Sequence, residues 1–232
     1  MTYVLVHGAG MGAACWDRLL PHLDAPAVAV DLPGRGSRAD VDVATVSLTD
    51  CADALEQDVL ATGADDVVLV AHSFAGVVVP RVMERLRPRL RHVVFLAAVV
   101  PEDGTAVIDQ IDPTVRSAVE DSITGGVYHQ HPDGVRFMLT NDMTEEQADW
   151  TVSLVVDDSG ALLTEVVDLG GLATDVPRTY VRTTQDACYT PDLQDGSAPR
   201  VGGGEAVLDS GHMPMVTQPE TLARLLASLS RA

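Results

Sequence analysis

The sequence predicts an α/β fold in which a mostly parallel central sheet is flanked by helices. Short apolar runs rich in β-branched residues alternate with helical segments along the first hundred residues, and two more runs follow towards the C-terminus. The early runs are apolar throughout, which is typical of parallel strands that are buried on both faces. The predicted strands cover residues 3–6, 27–30, 67–70, 93–96, 178–183 and 205–208.

Helices begin at recognisable capping sequences between these strands. Ser47 and Asp50 form a capping box ahead of a helix over 52–60, because their side chains can satisfy free backbone N–H groups. A second capping box at 217–220, with an early proline, predicts the C-terminal helix. The stretch 192–204 is rich in Gly, Pro and Asp and predicts a loop. Strands and helices in this order favour right-handed crossovers.

The middle of the chain interrupts the strand pattern. We predict that residues 108–169 form a small helical cap inserted into a core made of 1–107 and 170–232. One helix of this cap starts at the capping box of Thr144 and continues to about residue 156.

Composition excludes several classes of function. The 232 residues include 15 basic and 34 acidic side chains, and the formal charge of -19 would repel nucleic acid and anionic membranes. No stretch reaches the roughly 18 apolar residues of a membrane span, and the N-terminus does not resemble a signal peptide. Cys15, Cys51 and Cys188 are odd in number and widely separated, which predicts neither a disulfide framework nor a zinc site. We therefore expect a soluble, cytoplasmic protein.

A candidate nucleophile lies at the end of the third predicted strand. Ser73 stands in the sequence Ala71-His-Ser73-Phe-Ala75, between a strand and a helix, which is the context of a nucleophile elbow. The alternative is a serine that only caps the following helix. Both flanking glycines of the usual G-x-S-x-G motif are alanine here. We expect Ser73 alone to have a positive φ, with Ala71 and Ala75 at negative φ.

The loop after the first strand is a candidate for binding an oxyanion. It reads His7-Gly8-Ala9-Gly10, and in such a sheet it lies beside the elbow. Its alternatives are a simple glycine-rich turn or a phosphate loop, but the spacing of a phosphate loop is absent. We predict that the N–H groups of Ala9 and Phe74 form the oxyanion hole.

A general base and its acidic partner are predicted near the C-terminus. His212 follows the last strand, and Asp186 follows the strand before it. Asp192 is the second choice for the acid and Asp209 the third. The order Ser73, Asp186, His212 is the order of a catalytic triad on this kind of sheet. We expect Ser73 Oγ to lie within about 3.5 Å of His212 Nε2.

Several segments together resemble the α/β-hydrolase superfamily, in particular the small branch that contains plant methylesterases, hydroxynitrile lyases and bacterial esterases. The resemblance runs nearly end to end and is weakest in 108–169. The matching segments are Val-Leu-Val-His7-Gly-Ala9, Asp31-Leu-Pro-Gly34, Val-Ala-His72-Ser73, Phe95-Leu-Ala-Ala98, Pro101-Glu-Asp-Gly104 and Ser-Gly-His212-Met-Pro-Met215.

The predicted function is hydrolysis of a small-molecule carboxylic ester through the triad, with no cofactor and no metal. Clustered apolar residues in the cap and near His212 suggest an apolar pocket for a medium-sized or aromatic ester, although each could equally pack in the core. The candidate pocket residues are Tyr128, Phe137, Met138, Trp150, Met213 and Met215.

Three alternative functions use the same scaffold. The site could serve a thioesterase or cyclase that tailors natural products. A hydroxynitrile lyase is disfavoured, because the relatives with that activity have threonine where Gly8 stands and lysine where Met213 stands. A non-catalytic ligand-binding protein is the third alternative, since a fold does not establish a function.

Overall fold

A six-stranded, all-parallel sheet forms the centre of the computed structural model, which describes residues 1–231. The strands are β1 (Thr2–Val6), β2 (Ala27–Val30), β3 (Val67–His72), β4 (Leu90–Leu96), β5 (Ile123–Thr124), β6 (Val127–Tyr128), β7 (Asp158–Ser159), β8 (Arg178–Thr183) and β9 (Gly204–Leu208). The order in the large sheet is β2-β1-β3-β4-β8-β9, and each neighbouring pair is parallel. The predicted α/β fold with a parallel sheet is therefore confirmed.

Helices cover both faces of this sheet. The α-helices are α1 (Leu48–Ala61), α2 (Ala75–Val78), α3 (Pro80–Leu86), α4 (Pro113–Asp121), α5 (Pro132–Leu139), α6 (Glu145–Ser153), α7 (Ala161–Thr164), α8 (Pro191–Val201), α9 (Pro214–Thr217) and α10 (Pro219–Leu229). Short 3-10 turns occur at Ala13–Trp16, Leu20–His22, Gly36–Arg38, Val43–Thr45, Arg87–Arg89, Val107–Gln110 and Gly170–Ala173.

The apolar runs are continuous because the sheet is buried on both sides. In β3, the side chains of Val67, Leu69 and Ala71 pack into one core cluster, while Val68 and Val70 pack into the other. Alternate residues of a strand point to opposite faces, so both sets must be apolar.

The capping box ahead of α1 is present as predicted. Ser47 Oγ accepts a hydrogen bond from the Asp50 N–H at 3.1 Å, and Asp50 Oδ2 accepts one from the Ser47 N–H at 2.9 Å. These two bonds satisfy backbone donors that the first turn of a helix leaves free.

The C-terminal third contains two departures from the prediction. Residues 192–204, expected as a loop, lie largely in α8, which buries Gln194, Ser197, Ala198 and Val201. Their spacing places them on one helical face, so tertiary packing overrides the local composition. The capping box predicted at 217–220 is not formed, because residues up to Thr217 form the separate short helix α9. The residue that precedes α10 is Gln218, whose side chain makes no capping hydrogen bond.

The segment 108–169 contains strands as well as the predicted helices. β5, β6 and β7 form a small antiparallel sheet, and β5 is joined to β6 by Gly125 and Gly126. Both glycines have positive φ, of 59° and 86°, as a tight two-residue hairpin turn requires. The helix that starts after Thr144 ends at Ser153, about one turn earlier than expected.

No helix in the described part of the chain combines the length and the apolar character that crossing a membrane requires.

Candidate active site

Four loops bring the predicted site residues to one edge of the large sheet. Ser73 follows β3, Ala9 follows β1, Asp186 follows β8 and His212 follows β9. Because all six strands are parallel, the carboxyl ends of these strands lie at the same edge. A cavity is expected at such an edge in an open α/β sheet.

Ser73 occupies the strained position of the elbow. Its φ is +52°, whereas Ala71 and Ala75 are absent from the positive-φ residues found within 1–231. The Ser73 N–H donates to the carbonyl oxygen of Leu96 at 3.0 Å, and its own carbonyl accepts the N–H of Val99 at 2.8 Å. Bonds to the last residue of β4 and to the chain that follows it therefore hold a conformation that costs about 1–3 kcal/mol by itself.

In this elbow, the position that has no space for a side chain is Gly76 and not position 75. A Cβ on Gly76 would lie 2.4 Å from the carbonyl oxygen of Val99. Ala75 is the first residue of α2 and is accommodated without a left-handed conformation. The alanines of the elbow are thus compatible with its geometry.

His212 and Asp186 form a buried pair. His212 Nδ1 lies 2.7 Å from Asp186 Oδ2, and the two side chains are 3% and 0% exposed. Burial alone would raise the pKa of Asp186, but the His212 ring and the hydrogen bonds from Tyr189 N–H and Thr183 Oγ1 outweigh it and lower this pKa. Asp186 therefore remains ionised beside the imidazole.

The two other candidates for the acid lie elsewhere. Asp192 is exposed at the start of α8 and lines the cavity, while Asp209 is exposed and accepts hydrogen bonds from Thr184 and Gln185. Of the three aspartates, the structure places only Asp186 against His212 Nδ1.

Ser73 and His212 line the same cavity, but the structure forms no hydrogen bond between Ser73 Oγ and the imidazole. Both residues lie within the described range of 1–231. The Ser73 hydroxyl lies beside Gly8, since a Cβ on Gly8 would be 3.3 Å from Ser73 Oγ. This structure therefore contains no Ser73–His212 hydrogen bond, and the expected distance between Ser73 Oγ and His212 Nε2 stays a prediction.

The N–H groups of Ala9 and Phe74 donate to no acceptor within residues 1–231. The peptide group before Ala9 is held from its other side, because His7 Nδ1 lies 2.8 Å from the Gly8 carbonyl oxygen. His7 Nε2 accepts the Leu32 N–H at 3.1 Å, so the ring proton must be on Nδ1. In a trans peptide group C=O and N–H point in opposite directions, so this bond turns the Ala9 N–H away from His7.

The cavity above Ser73 has a volume of about 660 Å³. Tyr128, Met138 and Met213 line it, as three of the six pocket predictions proposed. Most of its wall is apolar. The apolar lining side chains outside these three are Ala9, Met11, Phe74, Val99, Val107, Ile111, Val115, Val119, Val135, Leu139, Leu163 and Leu193.

The other three pocket predictions are wrong. Phe137 is 76% exposed, because it projects from the outer face of α5 while Val135 and Leu139 face inward. Trp150 packs against the second core cluster, with the Arg18 guanidinium 4.9 Å from its ring centroid. Met215 is fully buried in that same cluster.

A model of the Alpha/beta hydrolase family matches residues 3–225. The chain belongs to this family. The carbendazim hydrolyzing esterase of a Nocardioides species is 30% identical over 248 residues, covering 98% of this chain and 99% of that protein. Methylesterase 7 of Arabidopsis thaliana is 25% identical and covers 98% of this chain and 95% of its own length.

A solved structure supports the fold independently. An extracellular alpha/beta-hydrolase from a Paenibacillus species has a TM-score of 0.89 at 21% identity, covering 100% of both chains. The predicted resemblance and the predicted hydrolase fold are confirmed by these matches.

The hydrolase also uses residues that the sequence did not identify. The Gln194 side chain donates to the carbonyl oxygens of Thr183 and Tyr189, and so supports the loop that carries Asp186. No sequence signal marks it, because it lies in the segment predicted as a loop. The sequence identifies His7 only as a member of the glycine-rich loop and does not indicate its hydrogen bonds.

His72 is a second buried histidine of this hydrolase. Its Nε2 lies 2.9 Å from the His212 carbonyl oxygen, and the two imidazole rings are 4.8 Å apart between centroids. Burial lowers the pKa of His72 to about 3, with the neighbouring His212 acting in the same direction. Burial likewise lowers the pKa of His7 to about 3, assisted by Arg35. Both rings are therefore neutral in the folded protein at neutral pH.

These two histidines predict that the hydrolase loses stability below pH 6.5. Their pKa is about 3 when folded and about 6.5 when unfolded, so the unfolded chain binds more protons between these values. The stabilisation is complete above pH 6.5 and declines as the pH falls towards 3. Each ring contributes up to about 1.4 kcal/mol per pH unit. Urea unfolding between pH 7.5 and 5 measures this slope.

Two variants separate these rings from other titrating groups. His72→Asn is expected to reduce the slope by about 1.4 kcal/mol per pH unit, whereas asparagine at the exposed His22 should leave it unchanged. A slope that does not change in His72→Asn would contradict the assignment.

Proposed function

We propose that this hydrolase cleaves carboxylic esters of medium-sized, apolar or aromatic molecules through a catalytic triad of Ser73, His212 and Asp186. One observation carries the proposal. A serine held at a φ of +52° shares an apolar cavity with a buried His212–Asp186 pair. This is the arrangement that nucleophilic catalysis by serine requires.

The steps follow from these positions. Ser73 Oγ attacks the acyl carbon while His212 Nε2 takes the hydroxyl proton, and the N–H groups of Ala9 and Phe74 bind the oxyanion. The ester C–O bond breaks as His212 returns the proton to the leaving alcohol, which leaves an acyl-enzyme. Water then attacks the acyl carbon and gives a proton to His212, which passes it to Ser73 Oγ as the acid departs. We expect the Ser73–His212 hydrogen bond to form in the substrate complex, where such bonds tighten.

The substrate class follows from the cavity wall. We propose that 108–169 acts as the cap, since it supplies Ile111, Val115, Val119 and Met138 to the wall. Apolar walls with few polar groups favour neutral, apolar ligands. The names of the relatives support ester hydrolysis, as one is a carbendazim hydrolyzing esterase and another a methylesterase.

The residues at positions 8 and 213 disfavour the lyase alternative. A Cβ on Gly8 would lie 2.8 Å from Ser73 Cβ, so the threonine of the hydroxynitrile lyases cannot replace Gly8 without moving the nucleophile. Met213 is fully buried and offers no cation for a cyanide leaving group. A non-catalytic binding protein would have no need of the strained serine beside a buried His–Asp pair.

A covalent label tests the proposal directly. The wild-type protein is incubated with a fluorophosphonate, and the modified peptide is identified by mass spectrometry alongside turnover of p-nitrophenyl acetate. We expect label on Ser73 together with turnover. A folded protein with neither result would favour the binding-protein alternative.

Charge predicts which esters the site rejects. Within residues 1–231, the carboxylates that line the cavity are those of Asp112 and Asp192, and no arginine lines it. An anionic substrate would lose its hydration without gaining a cationic partner. We expect kcat/KM for mono-p-nitrophenyl succinate to be roughly 100-fold below that for p-nitrophenyl butyrate. The same charges disfavour thioesters on phosphate-bearing carriers.

The control for this prediction is the double variant Asp112→Asn/Asp192→Asn. Both carboxylates are exposed, so their removal should reduce the difference in kcat/KM between the two esters by only about 2- to 5-fold. Equal rates for the two esters in the wild type would contradict the proposed selectivity.

A further inference from the structure

Asp158 is a buried carboxylate that reaches from β7 to the loop carrying Ala9. It is 1% exposed, and its Oδ2 accepts the N–H of Gly10 at 2.7 Å. Its Oδ1 accepts the N–H of Ser159 at 3.0 Å and a hydrogen bond from Arg35 Nη2. Arg35 is also 1% exposed and forms a buried ion pair with Asp158. None of these three bonds takes part in the steps of ester hydrolysis given above.

Gly10 is held at both of its backbone groups by the segment that contains Asp158. Its N–H is bound by Asp158, and its carbonyl oxygen accepts the N–H of Val156 at 3.0 Å. Gly10 has a φ of +67°, a left-handed conformation that glycine adopts readily and residues with a side chain rarely do. The peptide group that follows Ala9 is therefore fixed from 156–158.

The peptide group that precedes Ala9 is fixed from the opposite side. His7 Nδ1 binds the carbonyl oxygen of Gly8, which shares that peptide group with the Ala9 N–H. With the groups on both sides of Ala9 held, the direction of its N–H is set before substrate arrives. Pre-set donors are what makes an oxyanion hole effective.

A buried ion pair gives little net stability compared with apolar side chains of the same size. The Arg35–Asp158 pair is better explained by the orientation that it gives to the Gly10 N–H. A carboxylate makes a stronger hydrogen bond to a backbone N–H than a neutral acceptor does. Arg35 supplies the charge that allows this carboxylate to be buried next to Gly10.

We propose that Asp158, supported by Arg35, is a positioning residue that aims the Ala9 N–H at the developing oxyanion. This inference rests on the proposed ester hydrolysis. It gives 108–169 a second role, because the segment sets the geometry of the oxyanion hole in addition to lining the cavity.

The test compares variants that keep or remove the acceptor for Gly10. Asp158→Ala alone would leave the Arg35 charge buried without its partner and could unfold the protein. The acceptor is therefore changed in an Arg35→Met background, as Arg35→Met/Asp158→Asn and Arg35→Met/Asp158→Leu. Circular dichroism and thermal unfolding establish that each variant is folded.

The readout is the ratio of kcat/KM for an ester to that for the matching thionoester. The thionoester places sulfur, a poor hydrogen-bond acceptor, where the oxyanion would form, so an intact hole favours the oxygen ester. In the Leu double variant we expect kcat for the ester to fall roughly 10- to 100-fold with little change in KM, and the ratio to fall with it. The Asn double variant should recover most of both losses. A purely structural role of Asp158 would lower activity without changing the ratio.

Two further variants complete the test. Arg91→Met/Asp66→Leu removes an exposed ion pair at the amino ends of β4 and β3, the edge of the sheet opposite the site, and should change neither kcat nor the ratio. Val156→Pro removes the N–H that binds the Gly10 carbonyl oxygen, and Val156 is 39% exposed, so the change spares the core. This variant should lower the ratio even where the Leu double variant fails to fold.

The outcomes separate this inference from the proposed function. A wild-type protein that hydrolyses no ester removes the proposed function. A wild-type protein that hydrolyses esters, with an unchanged ratio in the folded Leu double variant, or in Val156→Pro where the Leu double variant does not fold, overturns only the role of Asp158.

Discussion

Replacing Ser73 by alanine is expected to lower kcat for ester hydrolysis by roughly 10⁶-fold. The hydroxyl is the proposed nucleophile. Cys188 also lines the cavity, but burial raises the pKa of its thiol to about 12, so the thiolate is scarce at neutral pH. Steady-state assays of p-nitrophenyl butyrate with Ser73→Ala measure the loss.

The double variant Ser73→Ala/His212→Ala makes this expectation sharper. Because the two residues act as a unit, the second substitution should cost almost nothing further. Alanine at Ser153, an exposed serine on α6, is the matched control and should leave kcat unchanged. More than about 1% of wild-type kcat in a rigorously purified Ser73→Ala sample would be incompatible with the proposed triad.

The fold could be predicted because its signals are local. A strand buried on both faces must be apolar at every position, so β1 and β3 were readable from composition alone. The elbow was readable because its serine lies between such a strand and a helix. The order of Ser73, Asp186 and His212 along the chain added a constraint that no single residue carries.

The parts that could not be predicted depend on contacts between distant segments. Asp158 and Arg35 are separated by 123 positions, and nothing in either local sequence indicates that they pair. The helix α8 contains Pro199 and a Gly/Asp-rich sequence, and it forms because its buried face packs on the sheet. Residue type alone predicts that Phe137 lines the pocket, whereas the direction of its side chain depends on the face of α5 that turns inward. The hairpin between β5 and β6 is different, since Gly125 and Gly126 were a readable turn signal.

Asp186→Asn is expected to lower kcat by roughly 10⁴-fold, through the position of one proton. Asp186 Oδ1 accepts the N–H groups of Cys188 and Tyr189, both at 2.8 Å. Backbone N–H groups can only donate, so the oxygen of an introduced asparagine must occupy this side. Its NH₂ group must then occupy the Oδ2 side, facing His212 Nδ1.

An NH₂ group that faces Nδ1 reverses the hydrogen bond in the pair. His212 Nδ1 must then accept, so the ring proton moves to Nε2, and Nε2 can no longer take the proton of Ser73. The loss should appear in kcat, because the cavity that binds substrate is unchanged. Asp192→Asn, an exposed aspartate at the cavity wall, is the matched control and should retain kcat for a neutral ester.

A second measurement distinguishes the proton position from simple loss of structure. The ring ¹⁵N chemical shifts of His212 report which nitrogen carries the proton, and in the neutral ring of the wild type we expect Nδ1 protonated and Nε2 bare. In Asp186→Asn the two should exchange, with thermal stability reduced by only about 1–3 kcal/mol for the altered buried hydrogen bonds. An Asn variant that keeps Nδ1 protonated yet loses 10⁴-fold in kcat would show that the carboxylate acts through its charge on the imidazolium rather than through the tautomer.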